Sequence, residues 1–486
     1  MSEGYGRPSG PPRADVHSLI DTVQHRLGSA DAAGAAALIE QELWHLLSQP
    51  ELHSIVAGWL GALPQEWILG SPRFCLAHAW LLLERPPQAL RWMQQAERAL
   101  GLPPWQHDRT AAAEVAALGA QLAAVRGDDE RVTEGAQTAL ETLPAGHPLL
   151  TGVMLALART CLRQSQFDRA ETVFAYAASQ GFAAGSAEVG VFAAGQRAAL
   201  ARLRGGLADA RAAYTEALMQ AHSQGAHTTP GAGMLLIMLA DLYRERNDLD
   251  AAQTYASNGV ALAHGPDALP LWLGLLVQAR IALARGDFGV AEALVQQLRQ
   301  LPAPSGTFAA VMEGFAAQLA LAGADLDSAT GIAAALPGSP DDLLYNAEPV
   351  GQIYADEHIL TAPLQVLITL GQATGDTGPI QHAMAHLAHL LLREDLAARR
   401  WLQIKLRVLW ALAQDGLGAP DLAMVAVSEA LERAVGEGYA RVLLDEGVGA
   451  LRLLRRFRDG GSDRAAAIGA QAEWGLRSYA QHLLGG

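Results

Sequence analysis

The chain has 486 residues, of which half are hydrophobic and only 17% charged, a composition that excludes a disordered polymer and fits a well-buried protein. A formal net charge of −15 argues against a surface built for a phosphate backbone, where Lys and Arg supply most of the affinity. Two cysteines, Cys75 and Cys161, lie far apart in apolar helical stretches, which gives neither a disulfide framework nor metal-ligand spacing.

Residues 1–13 are polar and rich in Gly and Pro, without the apolar core of a secretory signal, and read as a flexible tail. Residues 14–70 read as three or four helices forming an N-terminal cap, broken at Ser48-Gln49-Pro50. From 71 to 436 one unit returns nine times: an Ala-rich apolar helix, a short polar turn and a second such helix. The turns fall at Pro86–Pro87, Gly127–Asp128, Gln166–Phe167, Gly205–Gly206, Asn247–Asp248, Gly286–Asp287, Gly323–Ala324, Gly375–Asp376 and Gly416–Leu417. Residues 437–486 read as C-terminal capping helices, with Asp445-Glu446-Gly447, an Arg-rich helix and a last helix after the linker Asp459–Asp463. One hairpin cannot bury its own apolar face, so neighbours must stack. The predicted fold is therefore all-α, a solenoid of about nine hairpins. No apolar run calls for a membrane span, and the cytoplasm is the expected location.

A second regularity fixes the register. A small residue precedes each turn and another follows twelve residues later: Ala77/Ala89, Ala158/Ala170, Ala198/Ala210, Ala240/Ala252, Ala279/Ala291, Ala317/Ala329, Gly371/Ala383 and Ala411/Ala423, with Ala120/Val132 the exception. Antiparallel helices approach closely only where side chains are small, so each pair marks the closest contact of its hairpin. The interval from Ala329 to Ala383 is 54 residues against 38 to 43 elsewhere, and the excess lies in Leu336–His358. Its Pro337, Gly338, Pro340 and Pro349 read as helix breakers. An insertion in a repeat array maps to a loop on one face, often the binding face.

These pairs, with Tyr243 and Gly259 beside Ala240 and Ala252, and Phe174/Ala177 and Tyr214/Ala217, resemble the tetratricopeptide repeat. Its longer period is similar to that of the sensor region of MalT-like regulators, the large ATP-binding activators of the LuxR type. Trp59–Leu83 resembles the opening of such regions and Ala430–Phe457 their close. The phosphate-binding loop of those regulators needs a Gly-rich turn ending in Lys, and the single lysine, Lys405, stands in "WLQIKLRVL" with no glycine near it. After Phe457 too few residues remain for a helix-turn-helix domain with its linker. The chain reads as a stand-alone relative of the sensor region or as part of a larger regulator.

The resemblance implies a concave groove lined by the first helix of each hairpin, at the place after its small residue. Those places read His78, Gln121, Arg159, Ala199, Asp241, Arg280, Gln318, Gln372 and Leu412, mostly polar, as a solvated groove requires. With Arg163 and Arg244 a turn along, Arg159 and Arg280 could pair with a carboxylate or phosphate. His382, His386 and His389 share one helical face, either an exposed stripe or a metal chelate, but lack the Glu of a zincin motif. No nucleophile stands with a base, so no catalytic residue, resident metal or cofactor is expected. The expected function is non-catalytic: a sensor solenoid that recognises a small effector or a protein in transcriptional or signalling control. The alternatives are an assembly scaffold that senses nothing, and an enzyme whose site is assembled across repeats. Direct nucleic-acid and membrane binding are not expected, and self-association stays open.

Overall fold

The computed structural model describes residues 16–29, 31–83, 85–183, 186–264, 268–336, 348–460 and 470–485. The predicted tail at 1–13 and the middle of the long interval, 337–347, lie outside them. Among the described residues the chain is all helical, an α-solenoid as the pattern requires. It divides into two compact units, residues 1–160 and 161–486.

In the first unit, α1 (Val16–Gly28), α2 (Ala32–Leu47), α3 (His53–Ala62) and α4 (Gln65–Gly70) precede two hairpins. These are α5 (Pro72–Leu81) with α6 (Pro86–Leu100), and α7 (Arg109–Val125) with α8 (Asp129–Thr142). The boundary between the units falls inside α9 (Pro148–Arg163).

The second unit opens with α10 (Phe167–Ala183) and continues as the hairpins α11 (Ala187–Arg204)/α12 (Leu207–Ser223), α13 (Pro230–Glu245)/α14 (Leu249–Leu262), α15 (Leu269–Arg285)/α16 (Phe288–Gln300) and α17 (Gly306–Ala322)/α18 (Leu326–Ala335). The short helix α19 (Pro349–Ala355) comes next. The last hairpins are α20 (Ala362–Thr374)/α21 (Thr377–Leu392) and α22 (Arg400–Gly416)/α23 (Pro420–Val435), followed by α24 (Arg441–Leu444), α25 (Gly447–Asp459) and α26 (Ala470–Gly485).

The small-residue register has a direct physical outcome. Both members of every pair are buried, including the exception Val132. At Gly371 an added Cβ would lie 2.5 Å from the Ile380 side chain and 2.8 Å from the Asp376 carbonyl, so the one pair without alanine before its turn needs glycine. The turns share one backbone device. A left-handed residue ends the first helix at Gly127, Ser165, Gly205, Asn247, Gly286, Ala324, Gly375 and Gly418. At several of them the next residue is an aspartate that caps the second helix. Asp128, Asp248, Asp325 and Asp376 accept from the backbone N–H groups of Arg131, Ala251, Ser328 and Gly378 at 2.9 to 3.2 Å.

The long interval departs from expectation. Pro349 does not break a helix but starts one, at the first-turn position where its missing N–H costs nothing. The helix passes through a π-turn over Asp356–Leu360 before α20. Tyr354, Asp356 and His358 are buried, so this part of the predicted surface loop is interior. Gly314 makes room for it: an added Cβ there would meet the His358 carbonyl oxygen at 1.7 Å.

Candidate functional site

The second unit closes on itself. Glu245, the last residue of α13, accepts from the Ala440 backbone N–H through its carbonyl (3.0 Å) and from the Val442 N–H through Oε1 (2.9 Å). The Trp401 indole N–H donates to its Oε2 at 3.3 Å. Nearby, the Ala208 N–H donates to Glu437 at 3.2 Å, and an added Cβ on Gly205 would overlap Arg400 at 2.1 Å. The segment after α23 therefore returns to the start of α12 and the end of α13. The interior of this unit holds charged side chains that the apolar periodicity does not account for.

At the centre lies Asp241, fully buried. Arg202 reaches it at 2.5 Å, Arg280 binds its other oxygen, and the Tyr354 hydroxyl donates to it at 3.2 Å. Burial alone would raise this carboxyl, but Arg202, Arg280 and Arg244 hold it well below the usual carboxylate range. Arg280 also pairs with Glu357 and stands 5.3 Å over the Tyr354 ring. Against burial, Arg280 draws the Glu357 carboxyl down to about 2. His358 Nδ1 lies 2.7 Å from Gln318 Oε1, and burial pushes the imidazole down to about 3. It is thus neutral, and Nδ1 donates to the amide oxygen. Burial raises Glu245 to about 7, opposed by Arg244 and by the Val442 amide.

Beside this network is a cavity of about 290 Å³ lined by Arg244, Arg280, Glu357, His358, Lys405 and Glu446, with Gln318, Arg441 and Asp445 at its wall. Lys405 pairs with Glu446 in the interior, and Arg244 pairs with Asp445, which Arg441 also holds at 2.8 Å. Several buried atoms on these residues have no hydrogen-bond partner among the described residues: Arg244 Nε and Nη1, Arg280 Nε, His358 Nε2 and Glu446 Oε2. Buried polar groups are normally satisfied, so donors and acceptors of this kind around one cavity suit a small polar molecule.

Four of the groove residues expected from sequence, Asp241, Arg244, Arg280 and Gln318, meet at this network and cavity. Their setting differs from the expected solvated groove, because Asp241, Arg244 and Arg280 are buried and ion-paired. Gln372 is exposed and donates to the Leu412 carbonyl at 2.8 Å. Arg163, half-buried, lies at the start of the second unit and away from the cavity lining. His78, Gln121 and Arg159 belong to the first unit. There His78 stacks on Trp92 at 4.2 Å, while Gln121 packs against Gly152, where an added Cβ would meet its amide at 2.4 Å. Arg202, Tyr354, Glu357, Lys405 and Glu446 were not anticipated. Arg202 and Lys405 carry a sequence signal, a cation inside an otherwise apolar helical run, whereas Tyr354 and Glu357 lie in the long interval read as a loop and Glu446 lies between two helices. His386 and His382 approach at 3.0 Å on an exposed face, and among the described residues no group of three or more His, Cys, Asp or Glu is placed to hold a metal ion. No described helix is long and apolar enough to cross a membrane.

Comparison with known proteins agrees with the fold. A family profile described as the MalT-like TPR region matches residues 113–460. The HTH-type transcriptional regulator MalT of Serratia proteamaculans is 31% identical over 126 residues, covering 26% of this chain and 14% of that protein. The serine/threonine-protein kinase PknK of Mycobacterium tuberculosis is 30% identical over 278 residues, 55% of this chain and 24% of its own length. MalT of Yersinia pestis is 25% identical over 297 residues, 58% of this chain and 31% of that regulator. The chain thus spans less than a third of each of these relatives. With the repeat register, the paired small residues and the profile match in agreement, the chain belongs to the MalT-like TPR region family.

Proposed function

We propose that this chain is a cytoplasmic, non-catalytic regulatory module that senses a small polar effector in the cavity of its second unit and acts in transcriptional or signalling control. The observation that carries this reading is that Arg244, Arg280, His358 and Glu446, which line one cavity, each keep a buried polar atom without a hydrogen-bond partner among the described residues. At about 290 Å³ the cavity stands at the small end of ligand pockets, which run from roughly 300 Å³ upward. Arg244, Arg280, Lys405 and Arg441 face three carboxylates, Glu357, Asp445 and Glu446, so a neutral or singly anionic ligand fits best. Occupancy would act on the seam at Glu245, because Arg244 is its chain neighbour and pairs with Asp445 beyond Val442. The relatives named as a transcriptional regulator and as a protein kinase support a signalling setting, in which a partner domain reads the seam. The Arg-rich helix α25 offers little to DNA, since Arg456 pairs with Asp415 at 2.9 Å and Arg458 with Asp459 at 2.6 Å.

The test is a melting-temperature screen against small sugars, polyols, amino acids and monocarboxylates. At least one is expected to stabilise the protein. Arg244→Gln should weaken that ligand by roughly tenfold, as loss of a charge-assisted hydrogen bond requires. Replacing exposed His382 by Ala should leave binding unchanged. A ligand held equally well by Arg244→Gln would place the sensing site elsewhere.

A further inference from the structure

A second cavity lies in the same unit, distinct in chemistry from the first. It measures about 260 Å³ and is framed by the N-terminal halves of α11 and α13, the start of α15, and Val350 of α19. Phe192, Met234, Leu235 and Met238 supply apolar wall, and among the described residues no cation lines it, the exposed Glu188 being its charged group. Two buried polar atoms belong to lining residues and have no partner among the described residues: Gln196 Oε1 and the Tyr214 hydroxyl. Gln196 is 3% exposed and Tyr214 fully buried. The amide cannot gain by turning round, because its Nε2 donates to the Glu348 carboxylate at 2.7 Å, and a carboxylate only accepts. Gln196 Oε1 is thus held as an acceptor, and Tyr214 can donate.

We infer that this apolar cavity is a second ligand site, for a small aromatic molecule bearing one hydroxyl or N–H group. Size sets the class. An engineered cavity of about 150 Å³ holds benzene, so 260 Å³ suits a two-ring molecule. The wall sets the aromatic character, since Met234 and Met238 offer polarisable sulfur and Phe192 a ring. The two fixed polar atoms set orientation. A ligand hydroxyl donates to Gln196 Oε1 or accepts from Tyr214, which removes the cost of leaving those atoms dry and unpaired. The site also adjoins the ion network. Met238 Sδ lies 3.9 Å from the Tyr354 hydroxyl, and that hydroxyl donates to Asp241.

The experiment measures binding of 2-naphthol and of naphthalene to the full chain by saturation-transfer NMR, with dissociation constants from titration. The inference expects both to bind and 2-naphthol to bind roughly tenfold more tightly, the worth of one hydrogen bond. Met234→Trp, at a half-buried wall position, should abolish binding of both while the protein still unfolds cooperatively. Tyr214→Phe keeps the ring and should narrow the preference for 2-naphthol. No transfer to either compound, or binding untouched by Met234→Trp, would overturn the site. Equal affinity for the two compounds would overturn the role of Gln196 and Tyr214. None of these outcomes depends on the polar cavity, whose screen uses hydrophilic compounds and Arg244→Gln.

Discussion

His358 carries a pH dependence that can be read in one substitution. Its imidazole stays neutral in the fold, depressed to about 3 by burial, against an ordinary value of 6.5. A depressed folded value means that stability is complete above pH 6.5 and is lost as pH falls toward 3. The facing groups are Glu357 and Asp241, which favour the charge, and Arg280 and Arg244, which oppose it. His358→Asn cannot titrate, so its stability relative to the native chain should improve as pH falls below 6.5. The gain should reach about 1.4 kcal/mol per pH unit, measured by urea unfolding at a series of pH values. Glu245 has the opposite sign. Raised to about 7, it favours the fold at low pH and loses that contribution between 4.5 and 7. The difference between native and His358→Asn proteins removes this shared term. A gap independent of pH would mean that His358 is solvated.

Ala324 supplies a second residue-scale test. It adopts φ 61° at a turn where most other repeats place glycine, and a Cβ in that region costs about 1–2 kcal/mol. Ala324→Gly should therefore stabilise the protein by about 1 kcal/mol, after the greater freedom of glycine in the unfolded chain is counted. A lower melting temperature would contradict the turn geometry.

At the scale of elements, the hairpin contact is set by the small pairs. Ala252 is fully buried, and Ala252→Leu should overpack the seam between α13 and α14 at a cost of about 1–3 kcal/mol. Gln253 is half-buried beside it, and Gln253→Leu should cost much less. Equal losses of melting temperature would show the register to be misplaced. The helices and their turns were readable in the sequence because each rests on local chemistry: a small residue, a left-handed residue, a capping aspartate. The interior site was readable only in part. Asp241, Arg280 and Gln318 fell at inward register places, but nothing in the sequence says that residues 440–446 return to Glu245, some two hundred positions earlier. That closure is long-range, and it turned an expected wet groove into a buried network. The π-turn at Asp356–Leu360 was equally invisible, since its residues follow prolines that read as loop.

At the scale of the whole second unit, the ion network holds charged residues from α11, α13, α15 and the π-turn in one place. Arg280→Ala would leave Asp241 and Glu357 buried with fewer partners, which typically costs about 3–5 kcal/mol. Calorimetry should show this as a large loss of melting temperature, not the neutral change expected of a solvated groove residue. Pairing Arg280→Met with Glu357→Leu should recover part of the loss, because an apolar pair of similar size avoids the desolvation of two charges.

The second unit is a closed turn, sealed where the chain after α23 meets Glu245. Amide hydrogen exchange at Ala440 and Val442 tests it most directly, since both N–H groups donate to Glu245 and to no helix of their own. The closed turn predicts strong protection at both amides in the native chain, and selective loss of protection at Val442 in Glu245→Ala. Exchange at both positions as fast as in an unstructured peptide would contradict it.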